Sequence, residues 1–376
     1  MTSPPARTVR ILGTHGVPAA YGGFETAAEQ VARHLVGRGW RVVVYCQLPG
    51  RGSIRTDVWE GIERVLVPIP TKGWLGTARF DLVTVRHAAK RRDLCLTFGY
   101  NTAVINTWQR VNRIPNVINM DGIEWSRARW GWPRQAILRA NERIATVVGD
   151  CLIADHPEIA RYLADQAAAH KIVTITYGAH AITDAPTGPV VERGLVPGGY
   201  LTLIARPIPE NSILELVEGF STRPRGCQLA VLGCVDPTEP YARSVRAAAS
   251  DEVSFLGAIY EPEVVRALRY HSLGYLHGHT VGGTNPSLVE AMGAGNPVIA
   301  HDNPYNRWTA GDAALWFRGP GDVDAQVTLL LGDAAVRRRL GAAARKRHAE
   351  EFTWEHVGGQ YEAVLARHLP PPGATR

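Results

Sequence analysis

At 376 residues the chain is too long for one ordinary compact domain and suits two of roughly 150 to 200 residues each. Its 45% hydrophobic and 20% charged residues exclude a disordered or fibrous chain, and no run approaches the ~18 to 20 apolar residues that cross a bilayer. The net charge of +6 and pI near 9.2 leave nucleic acid, an anionic membrane or an anionic small substrate as partners, although much of the excess is arginine on helix faces such as Val336 to Arg347.

The opening MTSPPARTVR lacks the apolar stretch of a signal peptide, so a cytoplasmic protein is expected. Cys46, Cys95, Cys151, Cys227 and Cys234 form no CxxC pair and read as reduced, mostly packed thiols.

In the first half, Thr8 to Leu12, Arg41 to Cys46, Asp93 to Phe98, Asn116 to Met120, Cys151 to Ala154 and Lys171 to Thr176 read as buried strands. Helical patterns fall between them: Phe24 to Val36 sets Ala27, Ala28, Val31 and Leu35 on one face, and Arg134 to Val147 and Pro157 to Ala169 follow. Strand and helix in alternation predict a doubly wound parallel sheet. The proline- and glycine-rich stretch Gly178 to Gly199 reads as a linker. A second alternation follows, with strands at Tyr200 to Ala205, Gln228 to Gly233, Val253 to Leu256, Leu273 to His277 and Pro297 to Ala300. The expected organisation is an N-terminal Rossmann-like domain over 1–182, a linker over 183–198, a C-terminal Rossmann-like domain over 199–352 and a terminal helix and tail over 353–376. Ligands are then expected at the carboxyl ends of the strands, in a cleft faced by both sheets.

The loop after the first strand, Gly13 to Glu25, is not GxGxxG, which argues against a nicotinamide enzyme. It offers Gly22 and Gly23 at a helix start, where backbone amides suit a phosphate or a sugar hydroxyl, or where a plain connection suffices. Asn119 to Trp125 sets Asp121, Glu124 and Trp125 at a strand end; carboxylates are costly to bury, so Asp121 is a candidate for orienting or deprotonating a sugar hydroxyl and Trp125 for lining an acceptor surface, or else Asp121 caps a helix from a turn and Trp125 packs in the core. Trp125, Trp130 and Trp132 alternate with Arg127, Arg129, Arg134, Arg139 and Arg143, a mix suited to an anionic carbohydrate, a lipid headgroup or stacked bases, or to a solvated basic helix. With no nucleic-acid-binding module accompanying it, nucleic acid is not expected as a partner.

Arg206 follows the first strand of the second half, where a guanidinium can pair with diphosphate oxygens or else form a salt bridge between the expected domains. The segment His277 to Met292 joins strand, glycine-rich loop and helix start, an anion cradle in which free amides are expected near Thr284 to Ser287 and Glu290 can accept from ribose hydroxyls. His277 and His279 are too few to hold a metal, so none is expected.

The strings GTHGVPAAYGGFET, MDGIEWSRARWG, ARPIPEN, VGGTNPSLVEAMGAGNPVIA and EFTWEHVGGQYEAVL run through nearly the whole chain. With them the chain resembles the retaining GT-B glycosyltransferases of family four, within their rhamnosyltransferase-type branch. The resemblance implies two Rossmann-like domains facing a central cleft, a C-terminal helix crossing back to the first, and Asp121, Arg206 and Glu290 as catalytic residues. It places Gly22, Gly23, Gly282, Gly283, Thr284, Asn285, Ser287 and Glu290 around the nucleotide sugar. It implies metal-independent transfer of a hexose or deoxyhexose, L-rhamnose from dTDP-L-rhamnose foremost, to a glycan or lipid-linked acceptor, with peripheral membrane contact. Three positions depart from the family pattern. Gly282 stands where the family's glutamate pair has its first acid, Asn211 replaces a lysine, and Ala205 replaces a glycine. A nucleotide-sugar epimerase of the same fold and a non-catalytic sugar-binding partner are the alternative readings.

Overall fold

The computed structural model describes residues 7–19, 22–127 and 130–370, which divide into two compact units, residues 1–177 with 354–376 and residues 178–353. The first unit runs β1 (Thr8–Leu12), α1 (Gly23–Gly37), β2 (Arg41–Pro49), β3 (Arg55–Trp59), β4 (Ile62–Ile69), α2 (Gly73–Ala89), β5 (Leu94–Phe98), α3 (Ala103–Val111), β6 (Asn116–Asn119), α4 (Trp132–Val148), β7 (Cys151–Ala154), α5 (Pro157–Ala164) and β8 (Ile172–Thr174). Its sheet has the order β3-β4-β2-β1-β5-β6-β7-β8, parallel except where β3 meets β4. That antiparallel pair is absent from the sequence reading. It turns on Glu60 and Gly61 with φ of 48° and 79°, the two left-handed residues of a type I′ hairpin.

Strand alternation divides the core. Val9, Ile11, Val42 and Val44 pack toward α1, while Leu12, Val43 and Tyr45 pack with Phe80 and Val85 of α2. The α1 side is completed by the end of the chain, whose last helix supplies Val357, Tyr361, Val364 and Leu365.

The second unit runs α6 (Gly188–Val191), β9 (Tyr200–Ile204), α7 (Ile213–Ser221), β10 (Gln228–Leu232), α8 (Pro240–Ala247), β11 (Val253–Gly257), α9 (Pro262–Tyr270), β12 (Tyr275–His277), α10 (Pro286–Gly293), β13 (Val298–His301), α11 (Pro304–Ala310), β14 (Ala314–Phe317), α12 (Pro320–Gly332) and α13 (Ala334–Glu351); α14 (Trp354–Arg367) is the helix of the first unit. The sheet order is β11-β10-β9-β12-β13-β14, parallel throughout. Residues 183–198 are no bare linker within this unit: Val190 and Leu195 are buried against Tyr200, Ala267 and Leu268.

Each sheet has a point where the chain reverses its direction of winding, and in open α/β sheets ligands bind outside the carboxyl ends of the strands there. In the first unit it lies between β1 and β5, in the second between β9 and β12. The loops that follow those strands hold most of the residues singled out in the sequence.

Candidate functional site

In the second unit, the loop after β12 is held from three sides. Gly278 lies so close to Asn211 that a Cβ would sit 2.1 Å from its carbonyl oxygen. Thr280 donates through both its amide and its hydroxyl to the Glu210 carbonyl, each at 2.9 Å. Asn303 and Asn306 donate to the His279 carbonyl at 3.0 and 2.9 Å. The loop reaches Gly282 at φ 123°, a conformation suited to glycine, and ends at Asn285, which caps α10 by accepting from the Ser287 amide at 3.0 Å.

That cap corrects one expectation. The Ser287 amide is already engaged and Pro286 has none, so within the expected stretch from Thr284 to Ser287 the amides able to face an anion are those ahead of Pro286.

Arg269, at the end of α9, reaches α10 from below. Its guanidinium sits 2.5 Å from Glu290 Oε2 and donates to Ser287 Oγ at 3.3 Å. The arginine side chain is 8% exposed and the glutamate 33%. Ser287 Oγ in turn donates to the Ile204 carbonyl at the end of β9, as does the Tyr275 hydroxyl, both at 3.3 Å. Burial pushes the Tyr275 phenol up to about 12, against the Ser287 hydrogen bond, so it stays a donor. Glu290 is therefore fixed to the strand that leads to Arg206.

Arg206 is exposed just past β9. Asn211, at the family's lysine position, is buried, and its side-chain amide donates to the Arg206 carbonyl at 2.8 Å. It shapes the turn carrying the arginine and adds no charge. Ala205, the other departure, lies against Gly233, where a Cβ would sit 2.2 Å from its carbonyl oxygen.

His277 is buried and stacks on His279 with ring centroids 4.5 Å apart. Burial, with the neighbouring His279, holds the His277 imidazole well below its usual range. Among the described residues no group of three or more His, Cys, Asp or Glu side chains is arranged to hold a metal.

In the first unit, Gly22 caps α1 at φ 90° and Gly23 is the first helical residue. Glu25, buried in the first turn, accepts from the His15 amide at 3.1 Å, and Glu29 accepts from the Ala19 amide at 2.6 Å, so the helix folds its own entry loop back on itself. Ala20 and Tyr21 of that loop, and Ala128 and Arg129 further on, lie outside the described residues. Gly13 passes β5 so closely that a Cβ would sit 2.1 Å from the Phe98 carbonyl oxygen.

Asp121 follows β6 in the left-handed region at φ 55°, with its amide donating to Asn119 Oδ1 at 3.0 Å. Asn119 Nδ2 donates to the Tyr361 hydroxyl of α14 at 2.7 Å. The neighbouring acid and tryptophan are structural: Glu124 is buried with Arg127 at 2.6 Å and the Trp130 indole at 3.0 Å, and Trp125 donates to buried Glu142 at 3.0 Å. Glu142 also accepts from Tyr162 at 2.6 Å and Gln166 at 3.2 Å, so the acceptor that holds the Trp125 indole is itself fixed.

Sequence reasoning missed the structural roles of four residues. Arg269 and Asn211 support Glu290 and Arg206, and Tyr361 supports the Asp121 turn. Asp81 of α2 is buried, accepts from Thr102 Oγ1 at 2.7 Å and is pushed up to about 6 by burial. Arg269, Tyr361 and Asp81 act through partners distant in sequence, whereas Asn211 acts within ARPIPEN on the carbonyl of Arg206.

Residues 6–180 match a family described as a domain of unknown function (DUF1972), and residues 215–363 match one described as glycosyl transferase-like. The chain is similar to the MMP alpha-(1->4)-mannosyltransferase of Mycolicibacterium hassiacum, 23% identical over 350 residues, covering 85% of this chain and 82% of that one. Among solved structures, sucrose-phosphate synthase from Thermosynechococcus elongatus superposes with a TM-score of 0.79 at 18% identity over 96% of this chain and 98% of that one. Anabaena HepE in complex with UDP and glucose does so at 0.75 and 16%, over 96% and 100%. The two Rossmann-like sheets are those of GT-B proteins, and the chain is a glycosyltransferase of that fold.

Proposed function

We propose that the chain transfers a hexose or deoxyhexose from a nucleotide sugar to a hydroxyl of a glycan or lipid-linked acceptor, with retention of anomeric configuration. The observation that carries this reading is the Arg269–Glu290 pair, which holds a partly exposed carboxylate one turn into the helix behind a glycine-rich loop, beside the strand leading to Arg206. Glu290 accepts from the ribose hydroxyls, the loop amides before Asn285 meet the diphosphate, and Arg206 absorbs charge as it departs. Gly22 and Gly23 line the phosphate or acceptor side, and Asp121 orients the reacting sugar. The bond from the anomeric carbon to the phosphate oxygen breaks while the acceptor oxygen bonds to the same face of that carbon, and the acceptor proton passes to the departing phosphate oxygen. These residues need no metal ion for that step.

The string VGGTNPSLVEA favours L-rhamnose from dTDP-L-rhamnose as donor, while the mannosyltransferase relative and the UDP-bound neighbour support a nucleotide sugar of some kind. A thermal-shift panel of dTDP-, UDP- and GDP-sugars, followed by product analysis with and without acceptor, tests it. The expected result is stabilisation by one donor and a retained glycoside formed only with acceptor, with Glu290→Ala and Arg206→Ala each lowering transfer by about a hundredfold. Wild-type turnover in either variant refutes the site, and epimerised donor without acceptor refutes transfer.

A further inference from the structure

We propose that Asp81 of α2 is a specificity-determining residue for the acceptor, taking hydroxyls of an uncharged pyranose whose apolar face lies on Trp74. The proposal rests on the glycosyl-transfer reading above and adds the class of sugar that receives the new bond. Asp81 is the starting point because nothing in the fold requires its charge. It is 8% exposed, and among the described residues its carboxyl has one hydrogen-bond partner, Thr102 Oγ1 at the start of α3, and no ion pair. An asparagine would accept from Thr102 with no charge to bury. Burial instead raises the Asp81 carboxyl to about 6, against the Thr102 hydrogen bond and the nearby His15 imidazole. A buried carboxylate kept at the expense of stability is a mark of a functional site.

Its neighbours stand where a ligand is expected. His15 follows β1 and Thr102 follows β5, the two strands that flank the reversal of winding, so Asp81 lies at that carboxyl edge with both. His15 is exposed yet fixed: its amide donates to Glu25, its carbonyl accepts from the Gln47 amide at 2.9 Å, and its ring Nδ1 pairs with Gln47 Oε1 at 3.1 Å. Nδ1 donates there, which leaves Nε2 to accept from a second hydroxyl. Helix α2 descends from the carboxyl end of β4, so its first turn stands above this edge. Trp74, in that turn, precedes Asp81 by seven residues and is 67% exposed. Two helical turns place it on the same face, roughly 10 Å above the carboxylate.

These groups select one kind of sugar. A carboxylate and an imidazole lone pair accept hydrogen bonds, so they match hydroxyl donors. With no cation paired to it, the carboxylate repels a phosphate or a uronate placed on the same spot. An exposed indole offers a flat apolar surface to the C–H face of a pyranose ring.

Saturation-transfer NMR of the full chain with an equimolar mixture of methyl glucoside, galactoside, mannoside, rhamnoside and glucuronide tests it. Saturation of at least one neutral glycoside and not of the glucuronide is expected, growing as pH rises from about 5 to about 7 and the carboxylate ionises. Asp81→Asn, checked for a melting temperature no lower than wild type, is expected to weaken that binding about tenfold and to remove its pH dependence. Trp74→Ser is expected to weaken it by about the same factor. The link from α2 to Thr102 survives Asp81→Asn, so a purely structural role predicts no change in glycoside binding. Should Asp81→Asn fail to fold, the pH dependence of the wild type and the exposed Trp74→Ser variant decide. No saturation of any glycoside, equal saturation of the glucuronide, or binding indifferent to pH or to the variants would each overturn the proposal. Thermal shifts with the nucleotide sugars separate it from the transfer reading: both variants are expected to keep the wild-type response to donor. No donor response in the wild type refutes transfer, whereas lost glycoside binding alone refutes only the role of Asp81.

Discussion

Arg269 grips Glu290 across α9 and α10 at 2.5 Å, and the same guanidinium donates to Ser287 one turn earlier on α10. The carboxylate proposed to hold the ribose is thus aimed by a nearly buried cation. Arg269→Ala is expected to weaken donor binding at least tenfold and to cost about 1–3 kcal/mol of stability, the solvent at Glu290 softening the loss. Calorimetric titration with the donor and urea unfolding check the two parts, and Arg269→Lys is expected to recover stability more than affinity.

Tyr361 supports the Asp121 turn through Asn119. Tyr361→Phe keeps the ring that stacks on Phe98 and removes the hydroxyl, leaving Asn119 Nδ2 without that acceptor. Stability is expected to fall by about 1 kcal/mol and kcat to fall with donor affinity unchanged, a split that steady-state kinetics beside donor titration reads out.

Asp81 makes stability depend on pH. Burial raises its carboxyl to about 6, so its contribution is fully present below the ordinary carboxylate range and is lost as pH rises through about 6. Asp81→Asn, which keeps an acceptor for Thr102, is expected to raise stability by about 1–3 kcal/mol at pH 8 and to leave it unchanged near pH 4. Thermal melts at the two pH values decide; an equal effect at both would mean that the carboxylate is not penalised.

Glu362 fastens α14 to the first unit. It accepts from the Trp40 indole at 3.1 Å, Arg38 at 3.0 Å and Arg7 at 3.2 Å. Burial alone would raise its carboxyl, but the Trp40 and Arg38 hydrogen bonds outweigh burial and lower it, so this fastening acts above the ordinary carboxylate range and fades as pH falls. Glu362→Ala is expected to cost about 1–2 kcal/mol and to speed proteolytic cleavage within 354–367, read by mass spectrometry of limited digests.

Most strands were legible because buried parallel strands are nearly continuous runs of apolar, often β-branched residues, as β1 and β7 are. The β3–β4 hairpin was not, since its turn puts Glu60, rather than asparagine or glycine, in a left-handed conformation. Residues 183–198 have the composition of a linker, and only the packing of Val190 and Leu195 shows them to belong to a core. The site was half legible. Loop glycines and Glu290 stand in readable motifs, whereas Arg269 and Tyr361 act through hydrogen bonds to residues outside their own segments, for which a single sequence holds no periodicity or spacing.

The terminal helix has a consequence for how the protein is made. Because Val357, Tyr361, Val364 and Leu365 complete the core against α1, the unit that leaves the ribosome first is the last to be finished. Throughout synthesis of residues 178–353 the apolar side of its sheet and α1 waits for its cover. Nascent chains stalled before 354 are therefore natural clients for chaperones and a source of aggregation at high expression, even where the second unit folds without fault.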